Sequence, residues 1–127
     1  MVRSAALAFA AYVLLAGASI EARPAPTVNS PSFKALVKRF EDEVVVANVL
    51  TECGIMPARS YSQIIGDIEF RRQRAVWAYF DGNPPPGVLM GLSAGSPSRV
   101  RNETLRILGP NRVNCRAIAV RYWRNNG

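Results

Sequence analysis

Apolar side chains recur at three- and four-residue intervals in the first long segment after residue 30. They are Phe33, Leu36, Val37, Phe40, Val44 and Ala47. This spacing predicts an amphipathic helix, and Ser30 followed by Pro31 is typical of a helix start. The β-branched run at 44–46 would also suit a strand. Because the helical period begins well before that run, we predict that the helix continues through about Leu50.

A second amphipathic segment follows the glycine and proline breakers in residues 51–58. Its periodic apolar positions predict a helix over about 60–80. They are Tyr61, Ile64, Ile65, Ile68, Ala75, Val76 and Tyr79. A second stripe on the same helix consists of Phe70, Trp77 and Phe80. From this stripe we expect other elements to cover much of the helix.

The third predicted helix begins at another Ser-Pro pair and spans 97–108. The glycine- and proline-rich segment 81–87 separates it from the second helix. Its predicted inner face consists of Val100, Thr104, Ile107 and Leu108. The residues after it, Gly109 to Asn111, predict a turn.

The last segment, 112–124, fits either a helix or a strand. As a helix it places four residues on one face: Cys115, Ile118, Ala119 and Tyr122. As a strand it groups Ile118, Val120 and Tyr122, and these residue types suit a sheet. We favour the helix because the rest of the chain offers no clear strand partner. The predicted fold class is therefore a small all-α domain of three or four helices with one disulfide, and α+β with a C-terminal strand is the alternative.

Residues 1–22 have the pattern of a secretory signal peptide. A positively charged start precedes an apolar stretch over 5–18, and small residues permit cleavage after Ala18 or Ala22. The stretch is shorter than the roughly 20 residues that a membrane-spanning helix needs. We therefore expect export to the periplasm or the medium, with no transmembrane segment in the mature chain.

The predicted organisation after the signal peptide is a flexible tail over 23–31 and a single helical domain over 32–127. Cys53 and Cys115 are the only cysteines, and in an oxidising compartment an isolated pair is expected to form a disulfide. That bond would close a loop of about 60 residues and stabilise the fold by roughly 4 kcal/mol. The chain has no histidine and no Cys-x-x-Cys motif. We therefore predict no metal, cofactor or redox site.

The chain carries 16 basic and 9 acidic residues, for a formal net charge of +7. This excess favours anionic partners, although the preference for arginine over lysine also fits a GC-rich coding bias. The predicted anion-binding residues lie near the C-terminal aromatic residues and are Arg112, Arg116, Arg121 and Arg124. Because no nucleic-acid-binding motif is present, we do not expect nucleic acid as the partner.

Two further features suggest contacts. The acidic run at 41–43 and the basic cluster at 71–74 should face each other if the first two helices form an antiparallel hairpin, which predicts surface ion pairs. An apolar tip follows three prolines and consists of Val88, Leu89, Met90 and Leu92. This tip either caps the core, which we favour, or docks a partner.

The sequence gives little support for catalysis because the usual general base, histidine, is missing. A carboxylate pair, Asp67 with Glu69 or Glu52, is the one catalytic arrangement that the sequence suggests, and we predict no catalytic residue.

The predicted function is that of a small exported non-catalytic interaction or structural protein of the bacterial cell envelope. Its expected partner is an acidic envelope protein or another anionic envelope component. The alternatives are binding of an anionic polymer or lipid surface through the arginines, and a small carboxylate-dependent hydrolase.

Overall fold

The computed structural model describes residues 26–89 and 97–126, and these ranges contain four α-helices and no strand. The helices are α1 (Pro31–Glu52), α2 (Ala58–Tyr79), α3 (Pro97–Leu108) and α4 (Cys115–Asn126), with a 3-10 turn at Pro110–Arg112 between the last two. The all-α prediction is confirmed. The alternative with a C-terminal strand is wrong, because that segment forms α4. The predicted signal peptide, and Met90 and Leu92 of the apolar tip, lie outside the described residues.

The start of α1 follows the predicted capping signal. The Ser30 side chain accepts a hydrogen bond from the Phe33 backbone N–H at 3.2 Å, and proline occupies the first helical position. The helix therefore begins at Pro31. The helix continues through the β-branched run, where Val45 is buried and Val46 is exposed. Packing of one side of this run thus outweighs its preference for a strand.

α1 is the central helix, and α2 and α3 lie along two of its sides. α2 runs antiparallel to α1, since the Tyr79 hydroxyl hydrogen-bonds to Ser30 at one end. At the other end of α2, the Tyr61 hydroxyl donates to Asn48. α3 runs parallel to α1, because Arg99 pairs with Glu41 and Thr104 contacts Asn48 further along.

The core consists of two clusters at opposite ends of α1. The first contains Phe33, Val76 and Phe80, and the second contains Val45, Val49 and Leu108. The expectation that the second stripe of α2 is covered was right for Phe80, which is buried, but wrong for Phe70 and Trp77, which remain 57% and 51% exposed. The reason is that α2 packs mainly on α1 through its other side.

The predicted disulfide is confirmed. Cys53 and Cys115 are bonded, with their Cα atoms 5.2 Å apart, and they join the end of α1 to the start of α4. A tight turn after α3 makes this possible. Gly109 has a φ of 75°, and a Cβ there would lie 2.7 Å from the Asn114 side chain, so glycine is required. None of the described helices combines the length and apolar character needed to span a bilayer.

Candidate functional site

A groove of about 740 Å³ lies on α1, beside α3. The side of α1 from Val44 to Glu52 forms its floor, α3 forms one wall, and Tyr61 of α2 contributes to the lining. Most of the lining is apolar. Its apolar side chains include Val44, Pro97, Val100, Leu105 and Leu108.

A chain of hydrogen bonds crosses the groove and links three helices. The Tyr61 hydroxyl donates to Asn48 Oδ1 at 2.5 Å, and Asn48 Nδ2 donates to Thr104 Oγ1 at 3.4 Å. The Thr104 hydroxyl in turn donates to the Val100 carbonyl at 2.7 Å. These polar groups satisfy one another, as buried polar groups must. They therefore hold the shape of the groove, and its apolar surface is left for a ligand.

The rim of the groove is basic. Arg112 pairs with Glu52 at 2.8 Å, whereas Arg101 is exposed and takes part in no ion pair among the described residues. Asn111 and Arg112 have φ values of 53° and 56°, a left-handed conformation that asparagine tolerates but that is costly for arginine. Such strain is concentrated at functional sites in many proteins. Here it accompanies the placement of Arg112 beside Glu52.

A buried charge cluster joins the same three helices on another part of α1. Glu41 and Arg72 are only 5% and 3% exposed. Glu41 of α1 pairs with Arg99 of α3, and Arg72 of α2 pairs with Glu69. Burial lowers the pKa of Arg72, and the nearby Glu41 carboxylate opposes that shift. The Glu41–Arg99 ion pair therefore holds α3 on α1, and the attraction between Glu41 and Arg72 adds to the packing of α2 on α1.

Sequence reasoning missed this cluster because it placed the whole acidic run on the surface. The available signal was the position of Arg72, which interrupts the apolar side of α2. An arginine on a core-facing side needs a buried carboxylate as its partner. Glu69, three residues earlier on α2, pairs with Arg72, and Glu41 of the acidic run adds a second nearby negative charge.

The predicted surface ion pairs between the two clusters are confirmed at Arg71. Its guanidinium donates to both carboxylate oxygens of Glu43, at 2.9 and 3.1 Å. It also donates to Asp67 at 2.9 Å, one helical turn away. Hydrogen bonding to Glu43, and then to Asp67, raises the pKa of Arg71. The pairing connects α1 to α2 along their exposed edge.

The three carboxylates of the catalytic alternative occupy ion pairs. Asp67, Glu69 and Glu52 are each bound to a different arginine, namely Arg71, Arg72 and Arg112. The described residues contain no group of three or more side chains that could hold a metal ion. All three carboxylates therefore form ion pairs, either within a helix or between separate segments of the chain.

The structure divides the predicted anion-binding arginines into two groups. Arg112 lies at the rim of the groove, whereas Arg116, Arg121 and Arg124 lie on α4 and are exposed. In the predicted apolar tip, Val88 and Leu89 pack against the first core cluster. They therefore cap the core, as we favoured.

No protein family model matches this chain, and neither does any curated protein or solved structure. The groove and the arginines of α4 are therefore the features from which a function is inferred.

Proposed function

We propose that this chain is an exported, non-catalytic binding protein of a bacterial envelope whose groove receives an acidic segment of a partner protein. The observation that carries the proposal is an apolar groove with an uncompensated arginine at its rim. Leu105 lines the groove and remains 55% exposed. Concave apolar surface with a few placed polar groups is typical of a binding site.

The rim selects an acidic occupant. A carboxylate of the partner can pair with Arg101 without competing for Glu52, which already binds Arg112. The hydrogen bonds that cross the groove leave few free hydrogen-bonding groups, so the affinity for a partner would come mainly from apolar contacts. Charge at the rim would supply specificity and a faster association rate. An apolar side chain next to an acidic one is the pattern that fits both parts of the groove.

Export is supported by the signal-like pattern of residues 1–22 and by the disulfide, a bond that persists mainly in oxidising compartments. Fractionation with N-terminal sequencing tests it. We expect protein that begins after Ala18 or Ala22, lies outside the cytoplasm and has Cys53 bonded to Cys115. Full-length reduced protein in the cytosol would contradict export.

Site-specific photo-crosslinking tests the groove. A photoreactive residue at Leu105 should give a discrete adduct with a partner, and mass spectrometry should map the crosslink to an acidic segment. The control position is Phe70 on α2, which is exposed to a similar degree and lies outside the groove. Arg101→Glu should abolish the adduct by repelling the acidic segment. Lys34→Glu, an equal charge reversal outside the groove, should leave it unchanged.

Three results would overturn this proposal. They are no adduct at Leu105, equal adducts at Leu105 and Phe70, and an adduct at Leu105 that survives Arg101→Glu. The first two would mean that the groove is not where a partner binds, and the third would mean that the occupant is not acidic.

A further inference from the structure

α4 packs through one side only and presents its other side to solvent. Its half-buried residues are Cys115, Ile118, Ala119 and Tyr122, and none of its residues is fully buried. Away from these residues, Val120 and Trp123 are 55% and 58% exposed. Val113, just before the helix, is 67% exposed. The helix and the segment just before it thus place a tryptophan and two valines in water.

Two arginines border these exposed apolar residues. Arg116, Val120 and Arg124 follow at steps of four, so they lie along one side of the helix, and Trp123 lies beside them. We call these four residues the outer face of α4. The Trp123 ring packs edge-on against Tyr122, with the ring centroids 5.1 Å apart. This contact steadies the indole on the outer face. Arg121 lies on the neighbouring side of the helix.

The positive charge of α4 is not paired within the described part of the chain. The sequence has no acidic residue after Glu103. None of the ion pairs formed within residues 26–89 and 97–126 includes Arg116, Arg121 or Arg124. By contrast, five other arginines are paired: Arg71, Arg72, Arg99, Arg106 and Arg112. An anion from outside the chain is therefore what would neutralise the outer face.

We propose that the outer face of α4 binds the anionic surface of a phospholipid bilayer. Arg116 and Arg124 would contact headgroup phosphates, and Val120 and Trp123 would enter the boundary between headgroups and acyl chains. Tryptophan is enriched at that boundary, and amphipathic helices that lie on membranes combine basic residues with exposed aromatic ones. A soluble polyanion or an acidic protein loop would neutralise the arginines but would not need the exposed valine and tryptophan.

The fold presents this helix ready to bind. The disulfide at Cys115 holds the first residue of α4 to the end of α1, and Ile118 packs on the second core cluster. The helix is therefore formed before contact, and membrane binding does not have to supply the free energy of ordering it. This surface is separate from the groove, so its behaviour can be tested without the partner.

The test uses the exported protein with Trp77→Phe, which leaves Trp123 as the only tryptophan. Mixed phosphatidylglycerol and phosphatidylcholine vesicles should shift Trp123 fluorescence to the blue. Acyl chains brominated near the headgroup should quench that fluorescence, and pure phosphatidylcholine vesicles should do neither. Binding should weaken as salt rises. All variants share one N-terminus, so differences between them report on α4.

The matched variants separate the outer face from net charge. Arg116→Gln with Arg124→Gln should weaken vesicle binding about thirtyfold, on the order of fivefold for each arginine. Lys34→Gln with Arg74→Gln removes the same charge from exposed positions elsewhere and should have a much smaller effect. Equal losses in the two pairs would overturn the proposal. The proposal would also be overturned if the protein bound a soluble polyanion such as polyglutamate while anionic vesicles caused neither a blue shift nor quenching of Trp123 fluorescence. The surface would then recognise a soluble acidic partner.

Discussion

Removal of the disulfide, by Cys53→Ala with Cys115→Ala, should destabilise this protein more than most single contacts would. The bond joins residues 62 positions apart, and in the chain-entropy model a loop of that length contributes about 4 kcal/mol to the free energy of unfolding. Domains of this size are typically stable by only about 5–15 kcal/mol. We therefore expect a protein that still folds but has lost a large share of its stability.

The loss should also be uneven along the chain, because α4 depends on the bond more than the other helices do. No residue of α4 is fully buried, and its first turn is held by Cys115 and by Ile118 on the second core cluster. Without the bond, α4 should detach before the rest of the fold opens. The hairpin of α1 and α2 has its own core cluster around Val76 and should persist.

Two measurements check this. Urea unfolding followed by circular dichroism gives the change in the free energy of unfolding, and the expected loss is about 4 kcal/mol. Native-state hydrogen exchange should show loss of protection in α4 that exceeds the loss in the middle of α1. The wild-type protein under reducing conditions is the matched control, because it retains both sulfurs and lacks only the bond. It should reproduce the behaviour of the double variant.

A loss of less than about 1 kcal/mol in both the reduced wild type and the double variant would refute the entropic reasoning. Unchanged protection in α4 would refute the inference that the bond anchors this helix. A large loss in the double variant alone would assign the effect to the packing of the sulfur atoms.

Two further predictions concern charged residues. Glu41→Gln should reduce the free energy of unfolding by about 2–3 kcal/mol, because it weakens charge-assisted contacts and leaves Arg72 buried with less opposite charge. Arg99→Gln leaves the buried Glu41 carboxylate without its ion-pair partner and should cost a similar amount; a negligible loss from either variant in urea titrations would contradict the central position of Glu41. At Glu103, hydrogen bonding from Arg106 holds the pKa below its ordinary range. The ion pair between Glu103 and Arg106 therefore stabilises the folded state at pH values above the ordinary carboxyl pKa of the unfolded chain. This stabilisation is lost as the pH falls through the lower pKa that Glu103 has in the folded state. NMR titration should show a low midpoint for Glu103 that rises in Arg106→Gln, and an unmoved midpoint would contradict the assignment.

The sequence by itself determined the helices and the sides on which they are apolar. Ser30 and Pro31 start α1 as their local chemistry predicts, and α3 spans the predicted range. The half-buried side of α4 is the predicted one, with Cys115 facing inward. These features depend on neighbours within a few residues along the chain, and capping groups and helical periodicity record such neighbours directly.

Only the tertiary structure decided which of these sides are covered and which charges meet. Phe70 and Trp77 carry the same periodic signal as core residues, yet α2 turns them to solvent. Glu41 belongs to an acidic run that reads as surface, yet it is buried between α2 and α3. The groove likewise depends on Asn48 meeting Thr104 across two helices. Periodicity records the side of a helix but not the neighbour that packs against it. That neighbour is selected by the free energy of packing the helices together.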